Sequence, residues 1–113
     1  MKKVFKKKAN EIIKLVDNPI GEGGCLATDY IVCEGFKVDY MYREETDRNE
    51  DTGWRFFSGQ EDQDYIDDLN HTGVYSVNTI ANYDPDIIPF LDAPYGSAFE
   101  RDPDTGVFVR SDY

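Results

Sequence analysis

The densest run of ionisable side chains in this chain is Glu61–Asp68, where Glu61, Asp62, Asp64, Asp67 and Asp68 crowd into one short stretch. Carboxylates at i, i+3 and i+4 on a helix repel one another unless something positive sits opposite. Such a set could hold a divalent ion or face solvent counterions. It could also pair with the lysine-rich start of the same chain or meet a basic partner. Just upstream stand the only tryptophan, Trp54, and two phenylalanines, Phe56 and Phe57. Trp54 and Phe56 share one face of a strand and Phe57 takes the other, so only one face is certain to be core. Aromatics with Arg55 between them, beside an acidic patch, have the composition of a binding hot spot. The partner-binding set expected on these grounds is Glu44, Glu45, Asp51, Glu61, Asp62, Asp64, Asp67 and Asp68, with Trp54 as anchor.

Reactive groups fit catalysis poorly. His71 is the single histidine, and with Cys25 and Cys33 it gives at most three soft ligands, one short of a closed zinc site. Both cysteines read as buried strand residues, which disfavours a Cys–His nucleophile pair. Ser97, in Tyr95-Gly-Ser-Ala-Phe99, lacks the glycine that a nucleophile elbow needs two places on. Gly21–Gly24 precedes a strand rather than opening a helix, so it reads as a hinge and not a phosphate cradle. Asp102–Gly106 alternates carboxylates as calcium loops do, but it is too short for that ligand set and reads as a hairpin turn. The expectation is a binding protein rather than an enzyme, with no metal and no cofactor. A small ligand-binding protein or enzyme using Tyr40, Tyr42, Tyr83 and Tyr95 is the alternative.

Charge narrows the partner. The net charge is −11, yet residues 1–14 hold six lysines against one glutamate. The rest of the chain holds six basic and twenty-two acidic residues. A body that acidic repels nucleic acid and anionic membrane and attracts basic partners. No apolar run reaches the roughly 18 residues of a membrane span. The basic start has no continuous apolar segment and no cleavage site, so it does not read as a secretory signal. Reduced cysteines and a cytoplasmic location follow.

Those side chains need elements to position them, and the 113 residues suffice for one domain, 1–113. Phe5, Ala9, Ile12, Ile13 and Val16 have helical spacing, which predicts a basic amphipathic helix over residues 1–18 ended by Asp17-Asn18-Pro19. An α+β body over residues 23–110 follows. Cys25–Cys33 reads as a strand with a break near Asp29. Phe36–Arg43 alternates, with Phe36, Val38, Tyr40 and Tyr42 on one face and Lys37, Asp39, Met41 and Arg43 on the other. Glu44–Gly53 is a polar loop and Trp54–Ser58 a strand. A short helix capped by Ser58 or Gly59 runs through Asp68. Gly73–Val77 is a strand, Thr79–Tyr83 a helical turn broken by Asp84-Pro85, and Ser97–Arg101 pairs with Val107–Arg110. Asn78–Leu91 reads as a structural segment, with a binding loop as the alternative. The fold class expected is α+β: a helix first, then a mostly antiparallel sheet with short inserted helices.

Three runs, GGCLATDYIVCEGFKVDYMYREE, GWRFFSGQED and YSVNTIANYDPDIIPFLDAPYGSAFERD, resemble a bacterial family called immunity protein thirty-three, from about Gly23 to Asp104. That resemblance implies an α+β cytosolic protein, of the sort encoded beside polymorphic toxins, that neutralises a cognate toxin by binding it. It brings no catalytic residue, and Met1–Lys14 lies outside it. If the toxin is a nuclease its active site is basic, and an anionic patch could stand in for phosphate. The partner expected is therefore a cognate toxin, basic in charge.

Overall fold

The structure is a computed structural model and describes residues 3–112. Six strands are present among them: β1 (Gly24–Thr28), β2 (Tyr40–Arg43), β3 (Asp51–Phe57), β4 (Thr72–Ser76), β5 (Ala98–Arg101) and β6 (Phe108–Arg110). They form one sheet in the order β4-β1-β3-β2-β5-β6. β1 and β3 run parallel and the other neighbours antiparallel, so the sheet is mixed. The helices are short: α1 (Pro19–Glu22), α2 (Asp29–Val32), α3 (Gln63–Asp67) and α4 (Val77–Tyr83), with 3-10 turns at Ala9–Glu11, Leu69–His71 and Pro85–Phe90. No helix is long and apolar enough to cross a membrane among the described residues.

One face of the sheet carries the core. Cys25 and Ala27 from β1, Met41 from β2, Trp54 and Phe56 from β3, Phe99 from β5 and Phe108 from β6 all point to it. Ile31 and Val32 of α2, Val77, Ile80 and Ala81 of α4, and Ile87 and Leu91 close over them. Burying each of the larger side chains contributes about 1.5–3 kcal/mol. The helical turn expected at Thr79–Tyr83 is the body of α4, which Ser76 caps through a hydrogen bond from the Thr79 amide, 3.1 Å. Asp84 ends it and caps the next turn. Wholly buried, Asp84 accepts hydrogen bonds from the Val38 amide (2.9 Å) and the Arg101 guanidinium (2.6 Å). The turns of this segment place a buried ion pair, Asp84 with Arg101.

Three expectations are corrected. The amphipathic helix over 1–18 does not form: residues 3–16 make an extended strap with one 3-10 turn, and Met1 and Lys2 lie outside the described residues. Its backbone groups are claimed by other parts of the chain. Asn78 Oδ1 accepts from the Leu15 and Val16 amides, Asn82 Oδ1 from Ile13, Tyr83 Oη from Lys7 and the Val32 carbonyl from Lys6. Those bonds replace the helical ladder, and the adjacent cations Lys6–Lys8 favour an extended chain. Second, the Gly21–Gly24 hinge is partly helical, with α1 capped by Asn18 and started by Pro19. Third, the long Phe36–Arg43 strand shrinks to Tyr40–Arg43, and both Val38 and Met41 are buried. Val38 lies ahead of the strand, with its side chain in the core and its amide donating to Asp84 at 2.9 Å, whereas Tyr40 and Tyr42 stand outside that core.

Candidate functional site

The structure divides the expected contact residues between two segments. Glu44 and Glu45 lie in the β2–β3 connection and Asp51 opens β3, whereas Glu61, Asp62, Asp64, Asp67 and Asp68 follow β3. Much of the second group serves local folding. Asp62 caps α3 by accepting from the Tyr65 amide (2.8 Å), and Asp68 caps the next turn through Asn70 (3.0 Å). Asp67 accepts from the Gln63 side chain (2.8 Å), while Asp64 is exposed in the first turn of α3. Glu61 folds back, accepting from the Ser58 amide (2.9 Å), the Ser58 hydroxyl (2.9 Å), the Gly59 amide (2.9 Å) and the Thr28 hydroxyl. Burial opposes ionisation of Glu61, but these donors outweigh it and lower its pKa. Two strap lysines pair elsewhere: Lys3 with Asp29 (2.8 Å) and Lys14 with Asp17 (3.3 Å).

Trp54 is not the anchor of a surface. Its relative exposure is 0%, it stacks beside Phe56, and its indole N–H donates to the Leu91 carbonyl at 3.1 Å. The strand pattern explains this: Trp54 and Phe56 take the helix-covered face together.

On the opposite face, Arg55 organises the first acidic group. Its guanidinium donates to Glu44 Oε2 at 2.6 Å and to both oxygens of Asp51 at 3.0 and 2.9 Å. The two carboxylates lie at the ends of the β2–β3 connection, so one buried cation staples that loop to the sheet. The hydrogen bonds from Arg55 hold the Asp51 pKa at about 2, even though burial acts against it. Burial likewise opposes the charge of Arg55, and the bonds to Asp51 and Glu44 more than restore it. Gly53 lets the strand approach the loop: its φ is +87°, and a Cβ there would strike the Glu44 carbonyl. The register of β1 against β3 shifts beside it, between Gly24 and Leu26.

Around Arg55 the strand register places further side chains on this outer face. Leu26 and Tyr42 are its neighbours across the strands, and Phe57 lies opposite Tyr40. Tyr42 and Phe57 stack with planes 12° apart and centroids at 5.9 Å, and Tyr40 is 5.9 Å from Tyr42 and 6.2 Å from Phe57. A groove of about 310 Å³ runs alongside, lined by Leu26 and Val74 on one side and Thr46, Arg48 and Glu50 on the other. Composition drew attention to Trp54, but the aromatics on the outer face are Tyr40, Tyr42 and Phe57. The period-two alternation of Tyr40 and Tyr42, and the opposite facing of Phe57, were the signals that could find them.

Groups for covalent or acid–base chemistry are placed otherwise. Cys25 is buried, and desolvation raises its pKa; Cys33 is half-buried with its pKa also raised, chiefly by burial. The His71 ring stacks on Tyr65 at 4.0 Å. Asp51 and Glu61 are both pushed toward the charged form, the reverse of what a general acid needs. Among the described residues, no three His, Cys, Asp or Glu side chains are grouped to hold a metal ion.

The family described as Immunity protein Imm33 domain matches residues 25–112, which takes in all of the sheet but Gly24 and leaves out the strap. No curated protein and no solved structure matches the chain. With the match covering most of its length, this chain belongs to the Imm33 immunity protein family.

Proposed function

We propose that this protein acts in the cytoplasm by binding a cognate toxin and blocking its action, with acidic surface steering the encounter. Family membership carries the reading, since it implies an immunity role against a toxin. Charge supplies the mechanism. An excess of carboxylates on the body raises the encounter rate of a basic partner and disfavours nucleic acid and anionic membrane. Where the toxin is a nuclease, carboxylates take the place of backbone phosphates in its basic cleft. The inhibitor then needs no catalytic residue, metal or cofactor of its own.

Co-expression tests the reading. Cells producing the toxin encoded beside this protein should survive when the protein is present and die when it is absent. The purified pair should form a stoichiometric complex. Survival without a complex would sink inhibition by binding and would turn attention to an enzymatic alternative.

A further inference from the structure

We infer that β4 is an open sheet edge on which a second copy of this chain docks, the two strands running antiparallel about a two-fold axis at Val74. Self-association of this kind is independent of the immunity reading above.

The two edges of the sheet are unlike. β6 is three residues long and ends on the exposed Arg110. Short length and charge are common means of keeping an edge from pairing. β4 has neither: Thr72-Gly-Val-Tyr-Ser76 is five residues with no charge and no proline, in a chain that is 31% charged. At its middle Val74 is 74% exposed, beside Leu26 on the outer face.

Ladder geometry decides which backbone groups of β4 are open. The Val77 amide donates to the Gly23 carbonyl at 2.9 Å, in step with the register that sets Cys25 against Tyr75. Residues that bond across an antiparallel pair alternate along the strand. Gly73 and Tyr75 therefore direct their backbone groups at β1, and Thr72, Val74 and Ser76 direct theirs away from it. The Thr72 amide turns back to the Leu69 carbonyl. The Ser76 carbonyl, at the N-cap of α4, takes the first bond of that helix. There remain the Val74 amide and carbonyl, the Ser76 amide and the Thr72 carbonyl, none bonded to another group among the described residues.

That set is its own complement. About an axis at Val74, each Val74 amide meets the Val74 carbonyl of the second copy, and each Ser76 amide meets the Thr72 carbonyl of the second copy. The Thr72 amide and the Ser76 carbonyl, which would face each other in the same pair, are the groups already spent within the chain. The contact is isologous, as a two-fold dimer requires. Val74 and Leu26 of both copies then form one apolar row across the outer face. Two bodies of net charge −11 repel each other, and a five-residue edge buries less than the roughly 1,200 Å² of a stable interface. The dimer is therefore weak and tightens with salt.

Sedimentation equilibrium of the full chain from about 20 µM to about 1 mM, at about 0.05 and 0.5 M sodium chloride, tests this. The average mass should rise from that of one chain toward that of two, with association about tenfold tighter at the higher salt. Amide exchange locates the contact: the Val74 and Ser76 amides should slow about tenfold at the higher concentration, while Tyr75 stays protected throughout. Val74→Lys sets like charges at the axis, and Val74→Pro removes only an outward amide, so both should keep the monomer folded and abolish the dimer. A chain still monomeric at the highest concentration and salt overturns the inference. So does a dimer that Val74→Lys leaves intact, or one whose protection appears at Val109 on β6. If the chain is monomeric and only added toxin protects the Val74 amide, the edge receives a toxin strand, and the inference falls while the immunity reading stands.

Discussion

Single residues here act mainly through burial and pairing. Arg55 is 7% exposed and holds two carboxylates, so Arg55→Met should destabilise the fold by about 1–3 kcal/mol, discounted because Glu44 and Asp51 are partly solvated. Urea unfolding measures this, and hydrogen exchange should show residues 44–50 opening faster. The pH dependence has a definite sign. Asp51 has its pKa lowered from 3.8 to about 2, so its contribution is complete above the higher value and is lost as pH falls through the lower one. Wild-type protein should lose stability across that window more steeply than Arg55→Met. Trp54→Phe is expected to cost about 1–3 kcal/mol, because it leaves a gap and strands the Leu91 carbonyl. Toxin affinity of the folded variant should be unchanged, since the indole never reaches the surface. A large loss of affinity with intact stability would restore Trp54 as an anchor.

At the scale of elements, the strap and β3 are the places where local sequence and tertiary contacts disagree. Residues 13–16 are held by Asn78 and Asn82, one turn apart on α4, which read backbone rather than side chains. Val4 and Ile13 remain 80% and 60% exposed, and apolar burial secures the strap mainly at its end, through Leu15 and Val16. Asn78→Ala/Asn82→Ala should release it: trypsin should cut at Lys14 sooner, while the unfolding midpoint of the body moves by only a few degrees. A concerted loss of both would mean that the strap is part of the cooperative core. Gly53→Ala should be more damaging than its small size suggests. It places a side chain at φ +87° and against the Glu44 carbonyl, with strain alone costing about 1–3 kcal/mol. Thermal unfolding beside an equivalent change at Gly106, which has a positive φ but open space, separates strain from collision.

At the scale of the whole molecule, association with a basic toxin should slow as salt rises, because the Debye length shrinks from about 10 Å at 0.1 M to about 3 Å at 1 M. Stopped-flow rates across that range check it, and rates indifferent to salt would assign the encounter to apolar contacts. The acidic body, the α+β class, the breaks at Asp29 and Asp84-Pro85, the hairpin of β5 and β6 and the family itself were all legible in the residues, although the strand expected to resume after Asp29 is instead helix α2. Each depends on composition, on turn chemistry or on short-range periodicity, which a chain carries locally. Other features were not legible. Periodicity gave residues 1–18 a helix, but Asn78, Asn82 and Tyr83, more than sixty residues away, supply hydrogen-bond partners that make an extended chain the better satisfied state. Composition likewise marked Trp54, while the side of the sheet on which the helices settle decided that Trp54 is buried and that Tyr40, Tyr42 and Phe57 take the outer face. Sequence alone determines which side chains alternate along a strand; only tertiary packing decides which of the two faces meets water, because that choice belongs to the layer laid against it.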